Sequence, residues 1–346
     1  MVTLEKPNIR ELEADNVSKL LVKKGEKAFR AKQVQEWLWK KGARSFDEMS
    51  NLAQPLRNFL HENFALNALT VNLSQRSEDG TIKFRLQTFD GYFIESVLIP
   101  TDDRITACVS SQVGCSLTCK FCATGKLERE RNLNFDEIFD QVMILRQMSI
   151  ENFNRPLTNI VYMGMGEPLL NYENVMKSVE IITSPNGAGM SPRRITMSTA
   201  GIAKMIKKLG DDEVKFKLAL SLHAPNDAKR NQIMPINETN NLKAIMSALD
   251  YFYKKTKNRI SFEYIMFEGF NDTDTDAMEL VELCKRVPAK VNLIEYNTVE
   301  NVPFKKSSPE RIQAFADLLY KNNVTATIRY SRGKDIDAAC GQLANK

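Results

Sequence analysis

The sequence predicts an α/β fold: a partial βα barrel of six strand–helix units, behind a small helical domain and a β-linker. Two patterns predict the architecture. From about residue 100 onward, apolar strand-like runs alternate with amphipathic helical stretches, which implies a parallel sheet with right-handed crossovers. Before that point the chain reads as short helices and then as alternating strands. A third pattern locates the function, because the unusual residues cluster just after the strands, where barrels build active sites.

Residues 15–25 and 28–41 read as amphipathic helices, and Ser45-Phe46-Asp47 as the cap of another helix reaching Asn63. Residues 69–73, 81–86 and 92–99 alternate as antiparallel strands, with Asp79-Gly80 and Asp90-Gly91 as turns. The barrel strands are expected at 105–109, 159–163, 194–197, 215–222, 260–267, 291–296 and 325–330. The helices between them are expected at 135–149, 172–183, 203–209, 242–253, 275–286 and 309–322. The domains are therefore 1–65 (helical), 66–100 (β-linker) and 101–346 (barrel core with a C-terminal cysteine segment). Residues 343–346 read as a loose tail.

Of the 346 residues, 43% are hydrophobic and 26% charged, an ordinary globular composition. No apolar run is long enough to span a membrane, and the N-terminal Met-Val-Thr-Leu-Glu-Lys has no signal-peptide core. A cytoplasmic location and a monomer without membrane contact are expected. In a reducing compartment the six cysteines point to metal binding or catalysis. The net charge of +5 is concentrated: between Lys19 and Arg44 lie nine basic residues and two acidic ones. Such a cluster fits either a phosphate backbone or a solvated helix face. Trp37 shares an apolar stripe with Val34 and Leu38, so it reads as core.

Cys115, Cys119 and Cys122 have the spacing C-x3-C-x2-C, flanked by Gly114 and Gly125. Three cysteines in eight residues are not a packing pattern. A structural zinc site would need a fourth ligand, and the chain has only His61 and His223 and no second cysteine pair. An iron–sulfur centre held by three thiolates keeps one iron open for chemistry. Gly164-Met165-Gly166-Glu167-Pro168 follows a strand; it makes either a tight turn or a close backbone approach to a ligand. Ser198, Ser221-Leu222-His223 and Asn297 are further polar strand ends, each alone readable as a cap. Cys284 fits a helix core position. Cys108 reads as a buried strand end, and Cys340 as a small buried residue or as a nucleophile made mobile by Gly341.

With Phe121 before its last cysteine, the loop resembles the motif of the radical S-adenosylmethionine (SAM) superfamily. Over nearly its whole length the chain resembles the RlmN/Cfr family of radical SAM RNA methyltransferases. The resemblance rests on Phe29-Arg30-Ala31-Lys32-Gln33, Glu95-Ser96-Val97, residues 108–125, 164–171, 198–201 and 221–224, and 332–343. It implies a radical SAM partial (β/α)6 barrel and a [4Fe–4S] cluster on Cys115, Cys119 and Cys122. It also implies SAM contacts at Gly166, Glu167, Ser198, Ser221, Leu222, His223 and Asn297.

The implied reaction uses two SAM molecules. One methylates Cys340, and the other yields a 5′-deoxyadenosyl radical that takes a hydrogen from the methylated Cys340. The carbon radical adds to adenine, Glu95 removes the ring proton, and Cys108 resolves the adduct through a disulfide with Cys340. The implied substrates are 23S rRNA, at a peptidyl-transferase adenosine, and tRNA, at the adenosine 3′ of the anticodon. Flavodoxin or ferredoxin would donate electrons. The helical N-terminus is similar to that of the C2-methylating type. The alternatives are Cfr-type C8 methylation, which shares the same residues and confers antibiotic resistance, and a metal-stabilised RNA-binding protein without catalysis.

Overall fold

The computed structural model describes residues 6–345. Helices α1 (Ala14–Lys23) and α2 (Phe29–Gln35) open the chain, and α2 runs into a π-helical turn, Glu36–Lys41. The helix expected from Ser45 onward divides. Phe46–Glu48 form a single 3-10 turn, and α3 (Gln54–Asn63) begins only where Pro55 falls in its first turn, the place where a missing N–H is harmless. These helices close a core of their own around Ile9, Val34, Leu38, Phe46 and Leu60. Trp37, expected inside that core, is only half-buried at its rim, with its indole donating to Asn51 Oδ1 and Lys41 over its ring. The lysines of the basic stretch are exposed, as a phosphate-binding face requires.

Strands β1 (Thr70–Arg76), β2 (Ile82–Gln87) and β3 (Phe93–Pro100) form an antiparallel meander that continues onto β4 (Ile105–Cys108). After β4 come the short strands β5 (Gln112–Val113) and β6 (Arg131–Asn132), which pair with each other and tie the base of the cysteine loop. Alternation then sets in: α4 (Phe135–Phe153), β7 (Asn159–Tyr162), α5 (Tyr172–Thr183), β8 (Ile195–Thr199), α6 (Ala203–Asp211), β9 (Lys217–Ser221). It continues with α7 (Asp227–Ile233), α8 (Leu242–Thr256), β10 (Ile260–Met266), α9 (Asp274–Cys284), β11 (Ala289–Glu295), α10 (Pro309–Lys321) and β12 (Ala326–Arg329).

One ten-stranded sheet results, ordered β1-β2-β3-β4-β7-β8-β9-β10-β11-β12. All pairs from β4 to β12 are parallel, so six βα units are followed by a seventh parallel strand. Every residue of β10 is buried, as expected of a strand covered on both faces. The ends of β8 to β11 converge on the cysteine loop through Ala200, Ala224, Ile265, Phe267 and Ile294, packed with Leu117 and Phe121.

Helix α4 holds the helical region against the sheet. Arg10 pairs with Asp140 at 2.8 Å, both fully buried, and Asn8 donates to Asp136 at 2.8 Å. Deleting one partner of such a pair strands a buried charge, at a cost of about 3–5 kcal/mol. Asp140 also accepts from the backbone of Leu69, where the meander begins.

Candidate active site

Five parallel strands and the C-terminal segment deliver the functional side chains to one end of the sheet. The cysteine loop leaves β4 through Ser110 and Ser111, whose position is fixed by the buried Gln141. That side chain accepts from the Ser110 N–H at 2.7 Å and donates to the Ser110 carbonyl at 3.0 Å. Within the loop, Gly125 lies against the Cys119 backbone: a Cβ there would sit 2.8 Å from the Cys119 carbonyl oxygen, so only glycine lets the loop close. The three thiols sit beside Leu117, Phe121 and Ile233. Burial is the leading cause raising all three, Cys115 to about 11. Phe121 is buried with its ring edge-on to His223 at 4.9 Å.

Glu167 lies at the end of β7, buried. Its oxygens accept from the N–H of Leu169 at 3.1 Å and of Ala200 at 2.7 Å, which ties the β7 and β8 ends together. Burial pushes its carboxyl up to about 7, against the lowering effect of those N–H donors. Gly166 (φ 91°) abuts Gln112, whose Oε1 accepts the Glu167 N–H at 2.8 Å. Ser198 and Ser221 bring their hydroxyls within 3.3 Å of each other. Leu222 and His223 both donate backbone N–H to the Glu263 carbonyl. His223 accepts the Ile265 N–H at Nδ1, so its proton sits on Nε2; burial lowers its pKa to about 3 and keeps it neutral.

Cys340 is solvent-exposed, and Asn297 donates to its carbonyl at 3.3 Å and to Ser331 Oγ at 2.9 Å. Burial of its surroundings still raises the thiol, followed by the neighbouring charge of Glu263. Cys108, at the end of β4, is buried and near enough to Cys340 to feel its charge. All six cysteines are free thiols, so the disulfide that the family resemblance implies for Cys108 and Cys340 is not formed in this structure.

The tail expected to be loose is anchored instead. Leu343 is buried, and its carbonyl accepts from Thr124 Oγ1 at 2.6 Å. The N–H groups of Ala344 and Asn345 donate to Glu95 Oε2 at 2.8 and 3.1 Å. Upstream, the β1–β2 turn grips the segment through Ser77 to Asp335 and Gly333 to Asp79. Glu95 is itself fully buried on β3 and pairs with Lys83 at 3.3 Å. Lys346 lies outside the described residues.

Two cations buried near the site, Lys83 and Arg230, belong to no motif in the sequence. Lys83 alternates with Ile82 and Phe84 along its strand, and it is buried all the same. Arg230 lies on α7, too short and polar to register as an element, yet it is fully buried. Its guanidinium donates to the carbonyls of Ala200, Ser221 and Leu222 and to Asn237 Oδ1, and so holds the β8 and β9 ends in register. Asn226 capping a Lys-Arg-rich turn just after Ser221-Leu222-His223 was the one available signal.

A cysteine loop at the mouth of a partial βα barrel defines a class. The family model described as the radical SAM superfamily matches residues 109–281. A crystal structure of a radical SAM methyltransferase from Sphaerobacter thermophilus is 40% identical, with a TM-score of 0.93, covering 98% of this chain and 100% of that one. The protein is thus a radical SAM enzyme in fold. The model described as the ribosomal RNA large subunit methyltransferase N-terminal domain matches residues 7–66. A protein of Christiangramia forsetii is 57% identical over 341 residues, 99% of this chain and 97% of that one. Another, of Cytophaga hutchinsonii, is 55% identical over 343 residues, 99% and 94%. Both are named "Probable dual-specificity RNA methyltransferase RlmN". The chain belongs to the RlmN family of radical SAM RNA methyltransferases. The Cfr-type reading is not favoured.

Proposed function

We propose that this enzyme methylates C2 of adenosine in 23S rRNA and in tRNA through a methylated Cys340. The observation that carries the proposal is that the segment bearing Cys340 is bonded both to the cysteine loop, through the Ala123 N–H to the Gly341 carbonyl at 2.7 Å, and to Glu95, through the Ala344 N–H at 2.8 Å.

The loop suits a [4Fe–4S] cluster. Three thiols share one loop with an apolar surround, and a polynuclear cluster offers each thiolate its own iron. The apolar wall of Leu117, Phe121 and Ile233 keeps water from it. Cys115, Cys119 and Cys122 would hold the cluster, which when bound supplies the electron that cleaves SAM to a 5′-deoxyadenosyl radical. Around SAM, Gly166 and Glu167 would receive the ammonium group, with Ser198, Ser221, Leu222, His223 and Asn297 along the adjoining strand ends. Glu167 keeps free lone pairs for this despite its two backbone donors.

C2 of adenine is electrophilic and does not attack a sulfonium methyl, so the methyl must pass through a nucleophile. The Cys340 thiolate takes it from a first SAM and releases S-adenosylhomocysteine. The S-methyl then gives one hydrogen atom to the radical from the second SAM and bonds to C2. Glu95 takes the proton leaving C2 as the adduct radical gives back the one electron spent on cleaving SAM. The Cys108 thiolate then attacks the Cys340 sulfur, the disulfide forms as the carbon–sulfur bond breaks, and the freed methylene takes up a proton to become the methyl group. The exposed lysines of the helical region would hold the RNA backbone while the target base leaves its stack. We place the enzyme in the cytoplasm as a monomer fed by a flavodoxin or ferredoxin.

Nucleoside mass spectrometry of rRNA and tRNA from cells lacking and regaining the protein tests this reading. 2-Methyladenosine should vanish and return; 8-methyladenosine in its place would overturn it. SAM affinity carries a second expectation. Glu167, raised to about 7, is ionised above that value and neutral below it. The ammonium of SAM prefers the ionised form, so SAM binding measured by calorimetry should weaken as pH falls below about 7, by up to about tenfold per pH unit, and in E167Q the dependence should flatten.

A further inference from the structure

Glu95 has two sets of partners on elements of different kinds. Oε2 accepts the Ala344 and Asn345 N–H groups from the end of the chain. Oε1 faces the Lys83 ammonium at 3.3 Å, across a β2–β3 pair in which Lys83 is opposite Val97 and Arg85 opposite Glu95, so the two side chains are same-face diagonal neighbours. Lys83 is 3% exposed and Glu95 fully buried. Burial of this kind disfavours two bare charges, and the pair persists because each neutralises the other.

The other charged groups around Glu95 are occupied elsewhere. Arg85 donates to Asn72 and to the Asn345 carbonyl. On α4, which covers the opposite face through Gln141 and Ser96, Asp140 is paired with Arg10. Cys108 on β4 is opposite Val97, and Glu167 is spent on the β7–β8 connection. Cys340 lies on the same terminal segment as the two N–H donors.

We propose that Lys83 is a positioning residue for the methyl transfer, holding the Glu95 carboxylate fixed in a buried interior through their 3.3 Å ion pair while the terminal segment uncovers Oε2 for the RNA base. The inference rests on the reading of Glu95 as the group that takes the C2 proton. When the Ala344–Asn345 backbone withdraws, Glu95 loses its two N–H donors and becomes a better proton acceptor. Lys83, fixed in a strand, remains paired with Oε1. The proton passes from C2 to Oε2, and the neutral acid beside an ammonium sheds it readily to solvent.

The test is single-turnover methyladenosine formation by the cluster-loaded full-length enzyme, from pH 6 to 9, in K83M, K83R and E95Q. Cys340 methylation is read in the same samples to separate the first half-reaction. K83M should move the acid limb of the rate upward by about one to three pH units, the usual reach of a charge at this distance, and leave a Cys340–RNA adduct standing near pH 7. K83R, which keeps the charge, should restore the wild-type limb. K83Q is read in parallel, so that a fold lost in K83M leaves the question decidable. An unshifted limb in a folded K83M or K83Q, or a uniform loss at every pH that K83R shares, overturns the role of Lys83. Wild-type turnover in E95Q would instead overturn the underlying reading of Glu95, whatever the lysine variants do.

Discussion

Cys340→Ala should make no methyladenosine at all while still cleaving SAM to 5′-deoxyadenosine. The thiol is the only atom in the proposed path that accepts a methyl group from SAM and then carries it, as a carbon radical, to C2. Alanine removes it and leaves the cysteine loop, Glu167 and the strand ends untouched. The fold should tolerate the change. Cys340 is exposed and its recorded bond is made by its carbonyl, so the substitution falls in the range of ordinary surface changes, within about 0.5 kcal/mol. Liquid chromatography of reductant-driven reactions, with RNA nucleosides and 5′-deoxyadenosine counted in the same sample, checks both halves. Methyl transfer surviving in this variant would sink the relay through cysteine and leave direct attack on the base to be explained.

The sequence announced the barrel because both of its periods were undisturbed. β10 carries apolar residues at 260, 262, 264 and 266, the period of a strand, and is buried throughout, and α5, α8 and α10 carry clear amphipathic stripes. Spacing exposed the three loop cysteines, since ligands that act together within one loop must be close in sequence. What stayed hidden depends on contacts between distant segments. Lys83 and Glu95 sit at alternate positions that suggest a solvent face, but the terminal segment, some 250 residues away, covers that face. The tail looked loose because Leu-Ala-Asn has no local structure to declare. Its order comes from Thr124 and Glu95, neither of which is near it in sequence. Arg230 was hidden for the same reason: most of its partners are backbone carbonyls, which every residue carries and no motif records.

In Cys108→Ala the reaction should halt one step later and leave the protein covalently joined to its RNA. The buried Cys108 thiol is held protonated by its surroundings, with the charge of Cys340 adding to the effect. On the proposed path it therefore stays unmethylated in the resting enzyme and attacks only once Cys340 is in an adduct. Without it nothing on β4 can attack the Cys340 sulfur, and the bond from that sulfur through the methylene to C2 persists. The loss of one buried sulfur costs stability on the order of 1 kcal/mol, too little to unfold the domain. A gel run under denaturing conditions with labelled tRNA should show a shifted band approaching one RNA per enzyme, against turnover without a band in the parent enzyme. The double variant Cys108→Ala/Cys340→Ala should show no band, because the adduct needs the second thiol to form. A band in the double variant would place the attachment elsewhere. Free methylated RNA from Cys108→Ala at the parental rate would mean that the adduct is released by a group other than Cys108.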